Sequence, residues 1–215
     1  MSKILNKKSW LGIILVLIIV SLGFFIFLSF IRGDRILDKY SGHKDFVIVR
    51  ETMKANLDFI NKNPNNDSAY YSLAQGFFGM QGYDDAVWAL QEAIRIEPST
   101  YYYWSFLGKT YQAKKDYPPA RDAYIKTLEL EPNQPVNYTQ LAWLYYFRLD
   151  AEKDKAFDVL KKGLEKFPAD NGVLFDITRY YMYDENKEEF LKYAPKYIKI
   201  DSNNEAINNK YKEWK

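Results

Sequence analysis

Side chains able to do covalent or metal chemistry are scarce in this chain. His43 is the single histidine among 215 residues and cysteine is absent, which excludes thiol nucleophiles and His/Cys metal sites. A Ser/His/Asp triad would require His43 to reach a distant serine. The sequence holds no Gly-x-Gly-x-x-Gly or Gly-Lys-Ser/Thr loop to cradle a phosphate. The paired acids Asp84-Asp85 and Glu188-Glu189 fall at the starts of expected helices, where negative charge meets the helix dipole. They read as caps, so no catalytic residue, metal or cofactor is expected. Recognition chemistry is abundant instead: aromatic residues make up 18% of the chain, with 19 tyrosines. Aromatic and arginine side chains carry most of the energy of protein interfaces.

The elements that position these side chains follow from a repeat. Pro64, Pro98 and Pro132 are 34 residues apart, and Pro168 follows after 36. Tyr70, Trp104 and Tyr138 keep the 34-residue step, as do Leu73, Leu107 and Leu141, then Ala74, Gly108 and Ala142, then Phe77, Tyr111 and Tyr145. Within a unit these four positions follow i, i+3, i+4, i+7 spacing, the buried stripe of a helix. A second helix in each unit carries Ala86, Leu90 and Ala93, then Ala120, Tyr124 and Leu128, then Ala156 and Leu160. Pro118-Pro119 fits the first turn of such a helix. The spacing predicts an all-α solenoid of helix pairs, each unit burying its apolar face against its neighbours.

The chain resembles the tetratricopeptide repeat (TPR) family. The family pattern Trp-x2-Leu-Gly-x2-Tyr, Ala-x3-Phe, Pro is followed most closely by Trp104, Leu107, Gly108, Tyr111, Ala120, Tyr124 and Pro132. The resemblance covers residues 67–170 and implies an antiparallel helix-pair superhelix. The expected organisation is a short cytoplasmic tail (1–10), a transmembrane helix (11–31), a connector (32–43) and an N-terminal packing helix (44–63). A TPR domain (67–204) follows with units 67–100, 101–134, 135–170 and a degenerate 171–204, then a capping helix at 205–215. In the fourth unit Thr178 replaces the small apolar residue, Phe190 replaces alanine, and Pro195 is expected to interrupt the second helix.

Comparison of the units separates packing from display. The core stripe barely changes, whereas a stripe offset by one residue changes freely: Tyr71, Gln75, Phe78; Ser105, Lys109, Gln112; Thr139, Trp143, Tyr146; Phe175, Arg179, Met182. The resemblance implies that this stripe lines a concave groove, with Tyr102, Phe147 and Tyr183 beside it. Its expected guest is an extended peptide or amphipathic helix; the competing expectation is that Trp143, Tyr146 and Phe147 pack on adjacent helices, or that the tail with Trp214 fills the groove. The clamp for a terminal carboxylate found in some members is absent, its places being held by Tyr71, Gln75, Phe106, Val136 and Gln140.

Leu11 to Ile31 holds 21 residues without a charge, 17 of them Leu, Ile, Val or Phe. At about 1.5 Å per residue this run matches a bilayer core of about 30 Å. No small-x-small cleavage site follows it, so an uncleaved anchor is expected. Lys3, Lys7 and Lys8 precede the run; Arg32, Arg35, Lys39 and Lys44 follow it. The expected orientation places the N-terminus inside and the repeats outside the cytoplasm, the cytoplasmic face being the alternative. Setting aside the three N-terminal lysines leaves 27 Lys/Arg against 28 Asp/Glu, a net charge of −1. Such a balance offers no field for a nucleic-acid backbone. The expected function is a membrane-anchored bacterial scaffold or adaptor for a protein or peptide partner, without nucleic acid or a small-molecule substrate. A structural self-association module is the alternative.

Overall fold

The computed structural model describes Tyr40 and residues 47–215. The apolar run 11–31 lies outside these residues, and among those described no helix is long and apolar enough to cross a membrane. Every regular element described is helical, and the chain divides after Ile96 into two compact units.

The first unit holds α1 (Val47–Lys62), α2 (Asp67–Gly79) and α3 (Tyr83–Ile96), with α2 packed against both of the others. Asn66 caps α2 by accepting from the Ala69 amide at 2.8 Å. Leu73, Ala74 and Phe77 of α2 meet Ala86, Leu90 and Ala93 of α3, all fully buried. Tyr40 is buried here as well: its ring lies 5.8 Å from that of Phe77 and its hydroxyl donates to Asp85 at 2.8 Å. Asp85 therefore does more than meet the helix dipole, since it anchors a residue from beyond the helices.

The second unit runs from Glu97 to Lys215. It holds α4 (Tyr101–Lys114), α5 (Tyr117–Leu130), α6 (Pro135–Arg148), α7 (Asp154–Lys166), α8 (Asn171–Tyr183), α9 (Lys187–Ile200) and α10 (Glu205–Trp214). Consecutive helices pair as α4 with α5, α6 with α7 and α8 with α9, while α6 also lies along α8 and α10 packs on α9.

Two local devices recur at the repeat period, and a third is particular to the second repeat. The Trp104 indole donates to the Pro98 carbonyl at 2.9 Å, and 34 residues later the Tyr138 hydroxyl donates to the Pro132 carbonyl at 3.0 Å. The aromatic at this position thus braces the turn that precedes its own helix. Gln81, Lys115 and Glu185 adopt left-handed backbone conformations (φ 60, 66 and 53) just beyond α2, α4 and α8, which closes the carbonyls left open at a helix end. Finally, a Cβ on Gly108 would lie 2.7 Å from the Tyr124 ring, so only glycine lets α4 approach α5 there.

The third repeat departs from this turn. Its α6–α7 connection is two residues longer and winds a 3-10 turn, Asp150–Glu152. The extra residues give Glu152 to Arg121 of α5 at 2.7 Å and bring Lys153 to Asp184 beyond α8. In the fourth repeat α9 continues through Pro195, contrary to the expected interruption. Pro195 faces solvent, while Phe190, Tyr193, Ala194 and Tyr197 are buried on the other side. Packing of that face outweighs one missing backbone bond.

Phe190 and Ala194 also explain why this unit departs from the alanine pattern. Earlier second helices place a small residue first and a large one a turn later, as in Ala120 with Tyr124 and Ala156 with Leu160; here the large residue comes first. All six are buried. The exchange conserves volume, and the larger Phe190 ring meets the Trp214 indole edge-on at 5.0 Å, which seats α10 on α9. Trp214 is thereby engaged at the end of the unit. Thr178, in the small-residue position, is fully buried and satisfied by donating to the Leu174 carbonyl at 2.6 Å.

Candidate interaction surface

The freely varying stripe falls into three parts. Tyr71, Gln75 and Phe78 lie on α2 in the first unit, where Tyr71 and Phe78 are half-buried and Gln75 is exposed. Phe78 meets the Tyr83 ring edge-on at 5.5 Å. In the second unit, α4 carries Tyr102, which is 43% exposed, and Lys109, whose ammonium lies 5.9 Å from the Phe106 ring. Gln112, further along α4, accepts from the Tyr124 hydroxyl at 2.9 Å.

The remaining residues form one cluster on α6 and α8, two first helices packed side by side. Trp143 and Phe147 lie one turn apart on α6, ring to ring at 5.6 Å. From α8, the Arg179 guanidinium lies 4.7 Å from the Phe175 ring, 5.2 Å from Tyr180, and 5.9 Å from both Phe147 and Tyr183. Tyr183 is 53% exposed at the edge of the cluster. A cation held over several aromatic faces keeps its charge while losing conformational freedom, so the surface is pre-organised.

Tyr146 stands beneath this surface. It is buried, stacks on Tyr180 with ring centroids 4.0 Å apart, and donates to Asp184 at 2.7 Å. Its hydroxyl is pushed above the usual tyrosine range by burial and by the Asp184 carboxylate. Met182 is half-buried against the core, and Phe175 inclines onto Tyr197 at 5.5 Å. Both packing and display are therefore present: Tyr146 and Met182 support, whereas Trp143, Phe147, Arg179 and Tyr183 face outward in part.

Three further residues belong to this cluster. Asp176 pairs with Arg179 at 2.7 Å, and burial raises its carboxyl pKa to about 6 against the opposing pull of that guanidinium. Tyr180 is fully buried, and its hydroxyl is pushed upward by burial and by the Asp176 charge. Arg148 lies 5.2 Å from the Trp143 ring, a second cation in the cluster. The Gln140 carboxamide oxygen, the Arg179 Nε and the Tyr180 hydroxyl are buried with no hydrogen-bond partner in the chain. Only the i, i+3 placement of Asp176 and Arg179 was visible in the sequence as a signal for these residues. The cluster can hold an apolar or aromatic side chain by stacking, beside polar groups that set its orientation.

No family model and no curated protein sequence matches this chain. Solved structures do. A crystal structure of MamA is similar over 83% of this chain and 97% of its own, with 20% identity and a TM-score of 0.62. YrrB, described as a TPR protein with an unusual peptide-binding site, is similar over 83% of this chain and 89% of its own, with 16% identity and a TM-score of 0.62. TTC0263, a thermophilic TPR protein from Thermus thermophilus, is similar over 75% and 88%, with 16% identity and a TM-score of 0.52. The chain has the all-α, helical-repeat fold of these TPR proteins.

Proposed function

We propose that this chain is a membrane-anchored scaffold whose α6–α8 surface binds a protein or peptide partner. Residues 11–31 hold it in the membrane, with residues 1–10 inside and the repeats outside the cytoplasm, and its work supports assembly of a membrane or envelope complex. The observation that carries the reading is Arg179, held over four rings beside the partly exposed Trp143 and Tyr183. Aromatic anchors around one guanidinium are the composition of a binding hot spot. Support also comes from YrrB, a protein of the same fold with a peptide-binding site. An extended peptide or an amphipathic helix suits such a surface.

The test is photocrosslinking in cells from position 143 of the full-length protein, with products identified by mass spectrometry. One dominant foreign protein is the expected product, and the compartment of that protein reports which side the repeats occupy. Crosslinks confined to the same chain or to a second copy would replace the scaffold by self-association.

A further inference from the structure

A second candidate site lies on the α7–α9 side of the second unit and shares no residue with the α6–α8 surface. A cleft of about 400 Å³ between α7 and α9 has Leu164 and Leu174 in its wall, with Lys161, Lys192 and Lys196 around it. Residues 97–215 carry equal numbers of basic and acidic side chains, so this concentration of charge is local. Glu165 is the one acid on the wall, and Glu189 reaches Lys192 at 3.4 Å.

The lysines are gathered by an aromatic column that crosses three helices. Phe157 stacks on Tyr181 at 4.4 Å and Tyr181 on Tyr193 at 5.8 Å. Lys161 lies 6.0 Å over the Tyr181 ring, and Lys192 and Lys196 lie 5.3 and 5.7 Å from the Tyr193 ring. Lys192 and Lys196 are one turn apart and share a helix face with that ring between them. Three ammonium groups so placed repel one another, and a ligand with two or more negative charges relieves the repulsion. Ammonium groups recognise phosphate as point charges, without the planar fork that arginine offers a carboxylate. The apolar wall adds a surface for a short hydrocarbon or ring.

We propose that this cleft binds a phosphate-bearing anion with an apolar portion, held by Lys161, Lys192 and Lys196. The anion is a ligand, bound unchanged. A lipid headgroup and a free phosphate compound share this chemistry.

The test is acetylation footprinting of the full chain in maltoside detergent, with lysine modification followed by mass spectrometry. The probes are inorganic pyrophosphate, dihexanoyl phosphatidic acid, dihexanoyl phosphatidylcholine and poly-glutamate. Pyrophosphate and the phosphatidic acid should slow acetylation at Lys161, Lys192 and Lys196 while leaving Lys199 and Lys212 unchanged. The zwitterionic phosphatidylcholine should have no effect. Tighter protection by the phosphatidic acid identifies a lipid headgroup; tighter protection by pyrophosphate identifies a free phosphate compound. Replacing the lysines by glutamine should weaken binding about fivefold for each one removed, and Glu165→Gln should strengthen it. Uniform slowing at every lysine, absence of slowing, or better protection by poly-glutamate would overturn the proposal, the last in favour of an acidic peptide. Should the triple lysine variant fail to fold, the wild-type footprint and Glu165→Gln decide.

Discussion

The Tyr146 hydroxyl donates to Asp184 at 2.7 Å and lies 3.3 Å from the Tyr180 carbonyl, fastening α6 to the end of α8. Removing the hydroxyl leaves a carboxylate and a carbonyl without this donor, while the stacked ring stays in place. Tyr146→Phe should lower stability by about 1–2 kcal/mol, read as a shift in the denaturant midpoint with an unchanged slope. Tyr146→Ala, which also removes the ring, should cost about 3–5 kcal/mol.

Phe190 and Ala194 exchange the sizes found at the same two places in earlier repeats, so they should be coupled. Phe190→Ala opens a cavity and should cost about 3–5 kcal/mol. Ala194→Leu alone overpacks α9 and should cost about 1–3 kcal/mol. The double variant restores the order of the earlier repeats and should cost less than the two singles together, a positive coupling in a double-mutant cycle. Trp214 fluorescence should report the loss of its Phe190 contact in both variants that lack the ring.

Asp176 links stability to pH. Its native pKa of about 6 exceeds the unfolded value of about 3.9, so between these values the native state binds the proton that the unfolded state releases. This group's contribution therefore favours the folded chain below pH 4, declines as pH rises from 4 to 6, and is constant above that. The span is at most about 3 kcal/mol. Asp176→Asn should flatten that part of the pH–stability profile, measured by thermal unfolding at several pH values. An unchanged profile would mean that Arg179 holds the carboxylate ionised throughout.

Two glycines should respond oppositely to alanine. At Gly108 the added Cβ meets the Tyr124 ring at 2.7 Å. The resulting strain of about 1–3 kcal/mol should outweigh the gain in helix propensity of about 1 kcal/mol. At Gly79 a Cβ meets nothing within 4 Å, so Gly79→Ala should stabilise the chain by up to about 1 kcal/mol. Thermal unfolding of the two single variants compares them directly.

The helix pairs were legible because the residues that set them are both periodic and chemically alike: Leu73, Leu107 and Leu141 are all buried. A neighbouring column was not. Ala69, Tyr103, Asn137 and Val173 occupy one repeat position and are all buried, yet they share neither size nor polarity. Each precedes the apolar Leu or Ile column by four residues, and that helical spacing was the only available signal. Asn137 fits there because its amide donates to the Glu131 carbonyl at 2.8 Å. Trp104, which the repeat pattern placed in the core, is half-buried with its indole on the Pro98 carbonyl, whereas Tyr138 makes the equivalent bond and is buried. At the α6–α8 surface, Arg179 and Trp143 stood out by type. Tyr146 did not reveal its burial, since its fate depends on Tyr180 and Asp184, 34 and 38 residues away.

A chain made of similar units faces an ambiguity that an aperiodic chain does not: a helix can settle beside the wrong copy, one repeat out of step, at modest cost. The 3-10 turn at Asp150–Glu152 removes that degeneracy. Its two added residues let Glu152 reach back to Arg121 and Lys153 reach forward to Asp184. It acts as a phase mark, giving the third repeat contacts of its own on either side.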